Sequence, residues 1–267
     1  MNSVAKIFSC KMFPYLKSAK NGGDFIKIAC KNIETGVYLG LMSIKENIEE
    51  VKSRIRKAVR QAGRDPEEIE IVAVTKTVAV ESIEEAVASG IKIVGESRIQ
   101  EAEEKFARIG TKVKWHLIGH LQTNKVKKAL GIFDLIHSVD NLRLAEAINK
   151  EAQRIGKIQP ILIQANSSFE MTKFGFEEEE LKEAVARVSA LPFLQVQGLM
   201  TIGPLGGNPE EARPCFGRLK RLFEEIKEEW PMKCLSMGMT NDFEVAIEEG
   251  ANLVRIGRGI FGEREER

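Results

Sequence analysis

The sequence predicts a single (β/α)8 barrel preceded by one helix, on three observations. From residue 43 onward, eight short apolar segments alternate with longer amphipathic segments, the order expected of a parallel sheet with helical crossovers. Eight is also the number of strands that closes such a sheet into a barrel. The turn after the first segment, residues 75–78, contains no glycine, whereas an open doubly wound sheet that binds a dinucleotide would have a glycine-rich turn there.

The leading helix is predicted from its cap and from its apolar face. Ser43 and Glu46 have the spacing of a capping box, in which each side chain accepts a hydrogen bond from the other residue's backbone. Ala62-Gly63 would end the helix. The apolar residues of the segment fall on one helical face, and they are Ile44, Ile48, Val51, Ile55 and Val59.

The eight predicted strands are short apolar runs, which is typical of parallel strands buried on both faces. They cover residues 70–75, 91–95, 114–119, 135–139, 160–166, 196–201, 234–236 and 252–256. The amphipathic segments between them are predicted helices, many of which end at a glycine. They cover residues 80–89, 98–109, 122–130, 141–155, 178–189, 209–229 and 242–249.

Composition narrows the class of protein. The chain has 267 residues and a net charge of +1, so charge predicts neither a nucleic-acid nor a membrane partner. No apolar run has the length of a membrane span. The cysteines lack the CxxC spacing of zinc sites, so small thiols in a reducing compartment, and hence a cytoplasmic location, are expected. These cysteines are Cys10, Cys30, Cys215 and Cys234.

Residues 1–41 differ in character from the rest of the chain. They hold six lysines, two acidic residues and both tyrosines of the protein, and they contain no arginine. Without arginine or a long apolar core, the segment is a poor secretory or transit peptide. We expect an atypical N-terminal extension, either flexible or arising from a misplaced start codon with Met42 as the natural start. Residues 42–267 are assigned to the barrel.

Lys76 is the first candidate site residue. It directly follows the apolar run 69–75, and functional groups of barrels collect at the C-terminal ends of the strands. An ammonium buried in the mouth of the barrel would have a lowered pKa and would be nucleophilic. Such a lysine can form a Schiff base with an aldehyde, most commonly pyridoxal phosphate. The alternative is a strand-end lysine whose ammonium reaches water.

Two segments after the last strands predict a phosphate site. The loops after strands 7 and 8 are the usual phosphate-binding loops of a barrel. Ser236, Gly238 and Thr240 offer hydroxyls and a close backbone approach. The run 257–259, which is Gly257, Arg258 and Gly259, offers consecutive N–H groups at the start of a final turn or helix. The alternative is that these glycines only end strands and allow tight packing.

Arg255 lies on the last predicted strand. An arginine does not release its proton, so a pyridine nitrogen facing it would stay unprotonated. The cofactor would then be a weaker electron sink. The alternative is a structural salt bridge with a neighbouring acid.

A metal site is not predicted. His116 and His120 have the spacing of helical metal ligands, but they straddle a strand and a loop and so do not share a helical face. No third ligand is apparent near them.

Six segments together resemble the pyridoxal phosphate homeostasis proteins, also called the alanine racemase N-terminal-domain-like family. They are VAVTKT (72–77), GESR (95–98), WHLIGHLQTNK (115–125), GLMTI (198–202), LSMGMT (235–240) and VRIG (254–257). Lys125, Lys173 and Gly175 also stand at positions typical of the family. The resemblance covers the chain from about Met42 to Gly262.

The resemblance implies a single barrel of the alanine racemase N-terminal type that binds pyridoxal 5′-phosphate on Lys76. It also implies a role in balancing the vitamin B6 pool, without established catalytic turnover. The predicted cofactor-binding residues are Lys76, Ser97, Asn166, Met200, Ser236, Gly238, Thr240, Arg255, Gly257, Arg258 and Gly259. Ser97 stands where the family usually has Asn, and Arg258-Gly259 where it usually has Thr-Ala. The second departure removes a side-chain hydroxyl but leaves backbone contacts to a phosphate.

The missing tyrosine favours a cofactor carrier over an enzyme. A two-base racemase needs a second base opposite the lysine, which in alanine racemase is a tyrosine from an added β-domain. The chain after Met42 contains no tyrosine. We therefore predict a reservoir that delivers pyridoxal phosphate, with apo-enzymes as its possible recipients. The absence of a dimerising β-domain favours a monomer. The alternatives are a weak racemase-like enzyme and a pure interaction protein, and the sequence leaves open whether Lys125 or Lys173 also accepts cofactor.

Overall fold

A closed barrel of eight parallel strands in chain order forms the body of the protein. The computed structural model describes residues 43–166, 174–204 and 208–263. The predicted barrel and its leading helix are confirmed. The predictions for residues 1–41, and for Lys173, lie outside the described residues.

The strands and helices follow the predicted alternation. The strands are β1 (Glu70–Val74), β2 (Ile93–Glu96), β3 (Lys114–Leu117), β4 (Leu135–Val139), β5 (Gln159–Gln164), β6 (Leu194–Met200), β7 (Cys234–Met239) and β8 (Leu253–Ile256). The α-helices of the described residues are α1 (Ile44–Gln61), α2 (Val80–Ala88), α3 (Ile99–Ile109), α4 (Val126–Leu130), α5 (Leu142–Ile155), α6 (Leu181–Ser189), α7 (Arg213–Lys227), α8 (Phe243–Glu248) and α9 (Arg258–Phe261).

The capping box sets the start of α1. The Glu46 backbone N–H donates to Ser43 Oγ at 3.2 Å, and the Ser43 N–H donates to Glu46 Oε2 at 2.7 Å. The buried face of α1 packs beside α8 and α9. Arg54 of α1 pairs with Glu244 of α8 at 2.7 Å. The leading helix therefore flanks the barrel and contacts both its first crossover helix, α2, and its last helices.

Side chains alternate between the two faces of the barrel wall, as the pleat of a strand requires. Outward-facing residues such as Ala73, Trp115 and Val254 belong to the large core between strands and helices. A smaller apolar cluster collects residues of alternate positions, and we place it inside the barrel. Its members are Val72, Ile93, Leu135, Leu162, Met200 and Leu253. Buried polar residues of the same parity, among them His116, His137, Ser236 and Arg255, also face this interior.

Several predicted boundaries differ from the structure. β7 extends to Met239, so Ser236 lies within the strand and not at its end. The helices predicted from residues 122, 178 and 209 each begin with a short 3₁₀ turn. The α-helical parts start only at Val126, Leu181 and Arg213. These starts were predicted too early because periodicity does not separate a 3₁₀ turn from the first turn of an α-helix.

Gly198 shows how tightly the barrel wall is packed. A Cβ at this position would lie 1.7 Å from the Cys234 carbonyl oxygen of the neighbouring strand. Gly198→Ala is therefore expected to lower the free energy of unfolding by about 1–3 kcal/mol or more, measured by urea denaturation. Gly131→Ala is the matched control, since its Cβ would lie 3.4 Å from the nearest atom, Lys128 O. Equal stability of the two variants would contradict this account of β6 and β7.

Membrane spans, cysteines and metal ligands were also considered in the sequence, and the described residues give the following picture of each. In the described ranges, no helix combines the length and apolar character that crossing a membrane requires. Cys215 is buried and Cys234 half-buried, and within this part of the chain neither forms a disulfide. Cys10 and Cys30 lie outside it. Among the same residues, no group of three potential ligands could hold a metal ion.

Candidate functional site

Lys76 lies in a tight turn directly after β1. The turn is closed by the Val78 N–H, which donates to Thr75 O at 2.9 Å. Lys76 is exposed at the C-terminal end of the barrel, so the expectation that its ammonium is buried is wrong. Thr77, the next residue of the turn, adopts a left-handed conformation with φ of 60°.

β8, which pairs with β1 where the sheet closes, leads into the second part of the site. β1 pairs with β8, with Ala73 opposite Ile256. Lys76 and the run 257–259 therefore leave neighbouring strands at the same end of the barrel. This adjacency brings an amine and a set of backbone N–H groups to one rim.

The two predicted phosphate segments contact each other. The N–H groups of Gly257 and Gly259 both donate to Thr240 Oγ1, each at 3.3 Å. The N–H groups predicted to bind a phosphate therefore donate to the Thr240 hydroxyl, and these long hydrogen bonds are weak. Gly238 has φ of +87°, and a Cβ there would lie 2.5 Å from Ala246 Cβ, so only glycine fits. The Arg258 side chain is exposed.

Arg255 is buried inside the barrel, with 4% of its surface exposed. Its guanidinium donates to Ser236 Oγ at 2.6 Å and to Thr201 O at 2.8 Å. In the described ranges it forms no ion pair with a carboxylate, so the salt-bridge alternative is not supported. Burial lowers the pKa of Arg255 to about 10, and the charge of Asp242 acts in the opposite direction. The group therefore stays charged at neutral pH.

A chain of buried hydrogen bonds continues from Arg255 across the barrel interior. Ser236 Oγ lies 3.0 Å from His137 Nδ1, and His137 Nε2 lies 3.0 Å from His116 Nδ1. Arginine can only donate, so Ser236 accepts from it. Ser236 and His137 share a second hydrogen bond and His137 and His116 a third, and the tautomers of the two rings set the direction of both bonds. We call Arg255, Ser236, His137 and His116 the interior chain.

The histidines of the interior chain are neutral. Burial lowers the pKa of His116 to about 3, with a smaller effect from the charge of Lys114. Burial also holds the pKa of His137 well below its ordinary value, and His116 and Arg255 act in the same direction. Arg255 is thus supported by neutral partners and keeps its full positive charge.

The remaining predicted residues are spread around the rim and the interior. Ser97 is half-buried beside Gly119, where a Cβ would lie 2.4 Å from the Ser97 carbonyl oxygen. Asn166 follows β5 and donates from Nδ2 to Glu177 Oε1 at 3.1 Å. Met200 is buried in the apolar cluster of the interior. Among these residues, hydrogen bonds join Arg255 to Ser236, and Gly257 and Gly259 to Thr240.

His137 belongs to the site but was not predicted from the sequence. His137 is fully buried within β4, and its only sequence signal is a histidine inside an otherwise apolar run. His120 does not join His116, because its Nδ1 lies 2.8 Å from Asp140 Oδ2. Its ring stacks on Phe174, with 4.1 Å between the ring centroids.

Comparisons with known sequences identify the family of this chain. Residues 41–265 match the family model described as the alanine racemase N-terminal domain. A pyridoxal phosphate homeostasis protein of Aquifex aeolicus is 44% identical over 227 residues, which are 84% of this chain and 100% of that protein. The protein of the same name from Escherichia coli K12 is 38% identical over 229 residues, or 83% and 97% of the two chains.

Solved structures give the same result. The PipY protein of Synechococcus elongatus, solved with PLP bound, has a TM-score of 0.68 and 32% identity, covering 78% of this chain and 100% of that one. An alanine racemase of Clostridium difficile has a TM-score of 0.66 at 17% identity and covers 80% of this chain and 58% of that one. The second likeness shows the shared barrel fold alone.

Proposed function

The chain belongs to the alanine racemase N-terminal domain family, and on that basis we propose that it binds pyridoxal 5′-phosphate and acts in its homeostasis. In detail, Lys76 holds the cofactor as a Schiff base, and the protein then releases it to apo-enzymes. The observation that carries this proposal is the pairing of β1 with β8, which brings Lys76 and the run 257–259 to one rim. The relatives named for pyridoxal phosphate homeostasis support the same role.

The residues present fit the cofactor. The buried guanidinium of Arg255 offers a fixed positive charge toward a pyridine nitrogen, and the glycines after β7 and β8 allow a phosphate to approach the backbone. When bound, pyridoxal phosphate supplies an aldehyde and an electron sink. A nitrogen that faces Arg255 stays unprotonated, so the electron sink is weak. This arrangement suits holding the cofactor better than turning over an amino acid with it.

The absence of tyrosine after Met42 supports the same view. A racemase of the two-base type needs a second proton donor opposite the lysine. We therefore propose a carrier without catalytic turnover in the cytoplasm, in which residues 42–267 form the working unit. The cofactor-binding residues of this proposal are those predicted from the sequence, together with the interior chain.

The test is to locate the covalent bond. Purified protein is incubated with pyridoxal phosphate, reduced with borohydride and digested, and the labelled peptide is mapped. The label is expected on the peptide that contains Lys76, and it should disappear from that peptide in Lys76→Ala. Lys92→Ala is the matched control, because Lys92 is exposed and precedes β2 at the opposite end of the barrel. A wild-type label on another lysine would contradict the role of Lys76.

Transfer and turnover are measured on the same holoprotein. Delivery predicts that an apo-enzyme regains activity when mixed with it, while D- and L-alanine are not interconverted. Rapid racemisation that depends on Lys76 would instead identify an enzyme. A protein without any cofactor absorbance would be an interaction protein.

A further inference from the structure

A buried group of charged residues lies beneath the Lys76 turn. Lys105 of α3 is 5% exposed, and Glu96 at the end of β2 is fully buried. The Lys105 ammonium donates to Thr75 O at 2.6 Å, to Glu96 Oε1 at 2.7 Å and to Glu101 Oε1 at 2.6 Å. We call Thr75, Glu96, Glu101 and Lys105 the Lys105 cluster.

A buried ion pair such as that of Glu96 and Lys105 is weak evidence of a contribution to stability. Removing two charges from water is costly, and apolar residues of similar size often replace such a pair without loss of stability. The side chains around it on α3, such as Ala102 and Ile109, are buried and apolar. Burial raises the pKa of the Glu96 carboxyl, although Lys105 and Thr75 act against this shift. A buried cation here calls for a reason beyond packing.

The cluster binds the peptide groups on both sides of Lys76. The carbonyl of Thr75, the residue before Lys76, accepts from Lys105. The N–H of Thr77, the residue after it, donates to Glu101 Oε1 at 2.5 Å. That same oxygen accepts from Lys105, so a single ammonium links both contacts.

The backbone conformation held by these contacts is an unusual one. Thr77 has φ of 60°, in the left-handed region that β-branched residues rarely adopt. Such a conformation persists where the surrounding structure enforces it. The contact with Glu101 restrains Thr77, the residue after Lys76, together with the Val78–Thr75 hydrogen bond that closes the turn.

We infer that Lys105 and Glu101 are positioning residues for Lys76, which fix the turn so that the lysine amine meets the cofactor aldehyde. This inference rests on the proposed role of Lys76. Neither residue needs to contact the cofactor. Their effect is therefore expected on covalent capture and not on the noncovalent recognition of phosphate and ring.

Two ligands separate these effects. Pyridoxal 5′-phosphate can form a Schiff base, whereas pyridoxine 5′-phosphate has an alcohol in place of the aldehyde and cannot. In Lys105→Met, the affinity for pyridoxal phosphate is expected to fall about tenfold or more, a change of roughly one logarithmic unit in the dissociation constant. The affinity for pyridoxine phosphate is expected to stay within about twofold of the wild-type value. Binding is followed by absorbance for the first ligand and by calorimetry for the second.

Glu101→Ala provides a second variant in case Lys105→Met does not fold. Glu101 is half-buried on α3, and Glu104→Ala is the matched control because Glu104 is exposed on the same helix. Glu101→Ala is expected to weaken the binding of pyridoxal phosphate but not that of pyridoxine phosphate. Glu104→Ala is expected to leave both affinities unchanged. Thermal unfolding of the apo-proteins establishes that each variant is folded.

The outcomes are distinct. Equal losses for both ligands, or no loss for either in folded variants, would overturn the positioning role. Failure of the wild-type protein to bind pyridoxal phosphate would instead overturn the proposed function. A selective loss of affinity for pyridoxal phosphate in Lys105→Met or Glu101→Ala supports the inference.

Discussion

As the pH falls below about 6.5, the free energy of unfolding is expected to decrease by up to about 2.7 kcal/mol per pH unit through the two buried histidines. Burial lowers the pKa of His116 to about 3 and that of His137 well below its ordinary value. In the unfolded chain both would titrate near pH 6.5. The unfolded state then binds more protons, so stability is present above this pH and is lost toward about pH 3.

Urea denaturation of the apo-protein between about pH 4.5 and 8 measures this slope. His116→Gln removes one of the two titrating groups and is expected to reduce the histidine share of the slope to about half. Leu135→Met is the control, since Leu135 lies in the same interior but does not titrate. An unchanged slope in His116→Gln would show that His116 is protonated in the folded state.

Arg255→Met is expected to weaken the binding of pyridoxal phosphate by about 10- to 100-fold, because a hydrogen bond to a charged group contributes about 1.5–3 kcal/mol. The guanidinium is nearly fully buried, so water screens its charge little. Arg255→Lys keeps the charge but loses the two-armed geometry, so it is expected to bind with intermediate affinity. Absorbance titration of each variant gives the dissociation constants.

The control for Arg255 is an arginine with similar bonds in another place. Arg64 donates to the carbonyl oxygens of Ile247 and Ala251, each at 2.8 Å. Arg64→Met therefore removes comparable hydrogen bonds outside the barrel interior. If a folded Arg255→Met protein retained wild-type affinity, Arg255 would not face the cofactor.

Local sequence signals predicted most of the fold. The capping box at Ser43 and the short apolar strands depend on neighbouring residues, so they can be read directly from the sequence. The contact of Thr240 with Gly257 and Gly259 also follows the prediction that the last two strands end side by side. These features need only secondary structure and the known order of strands in a barrel.

Features that depend on distant residues could not be predicted in this way. The turn that contains the exposed Lys76 is contacted by Lys105, which is 30 residues from Thr75 in the sequence. His137 meets Ser236 across the barrel, at a separation of 99 residues. The extension of β7 depends on its neighbours as well, since β7 pairs with β6 and with β8. The partners of such side chains depend on how the closed sheet brings distant strands together.

Closure of the barrel also limits the ways in which other proteins can bind to it. β1 and β8 pair from Glu70 with Leu253 to Ala73 with Ile256, so among the described residues every strand has a neighbour on each side. An open sheet edge is what allows strand addition and edge-to-edge aggregation. A partner that binds this barrel would therefore dock on its helices and rim loops, whose side chains would set the specificity of binding.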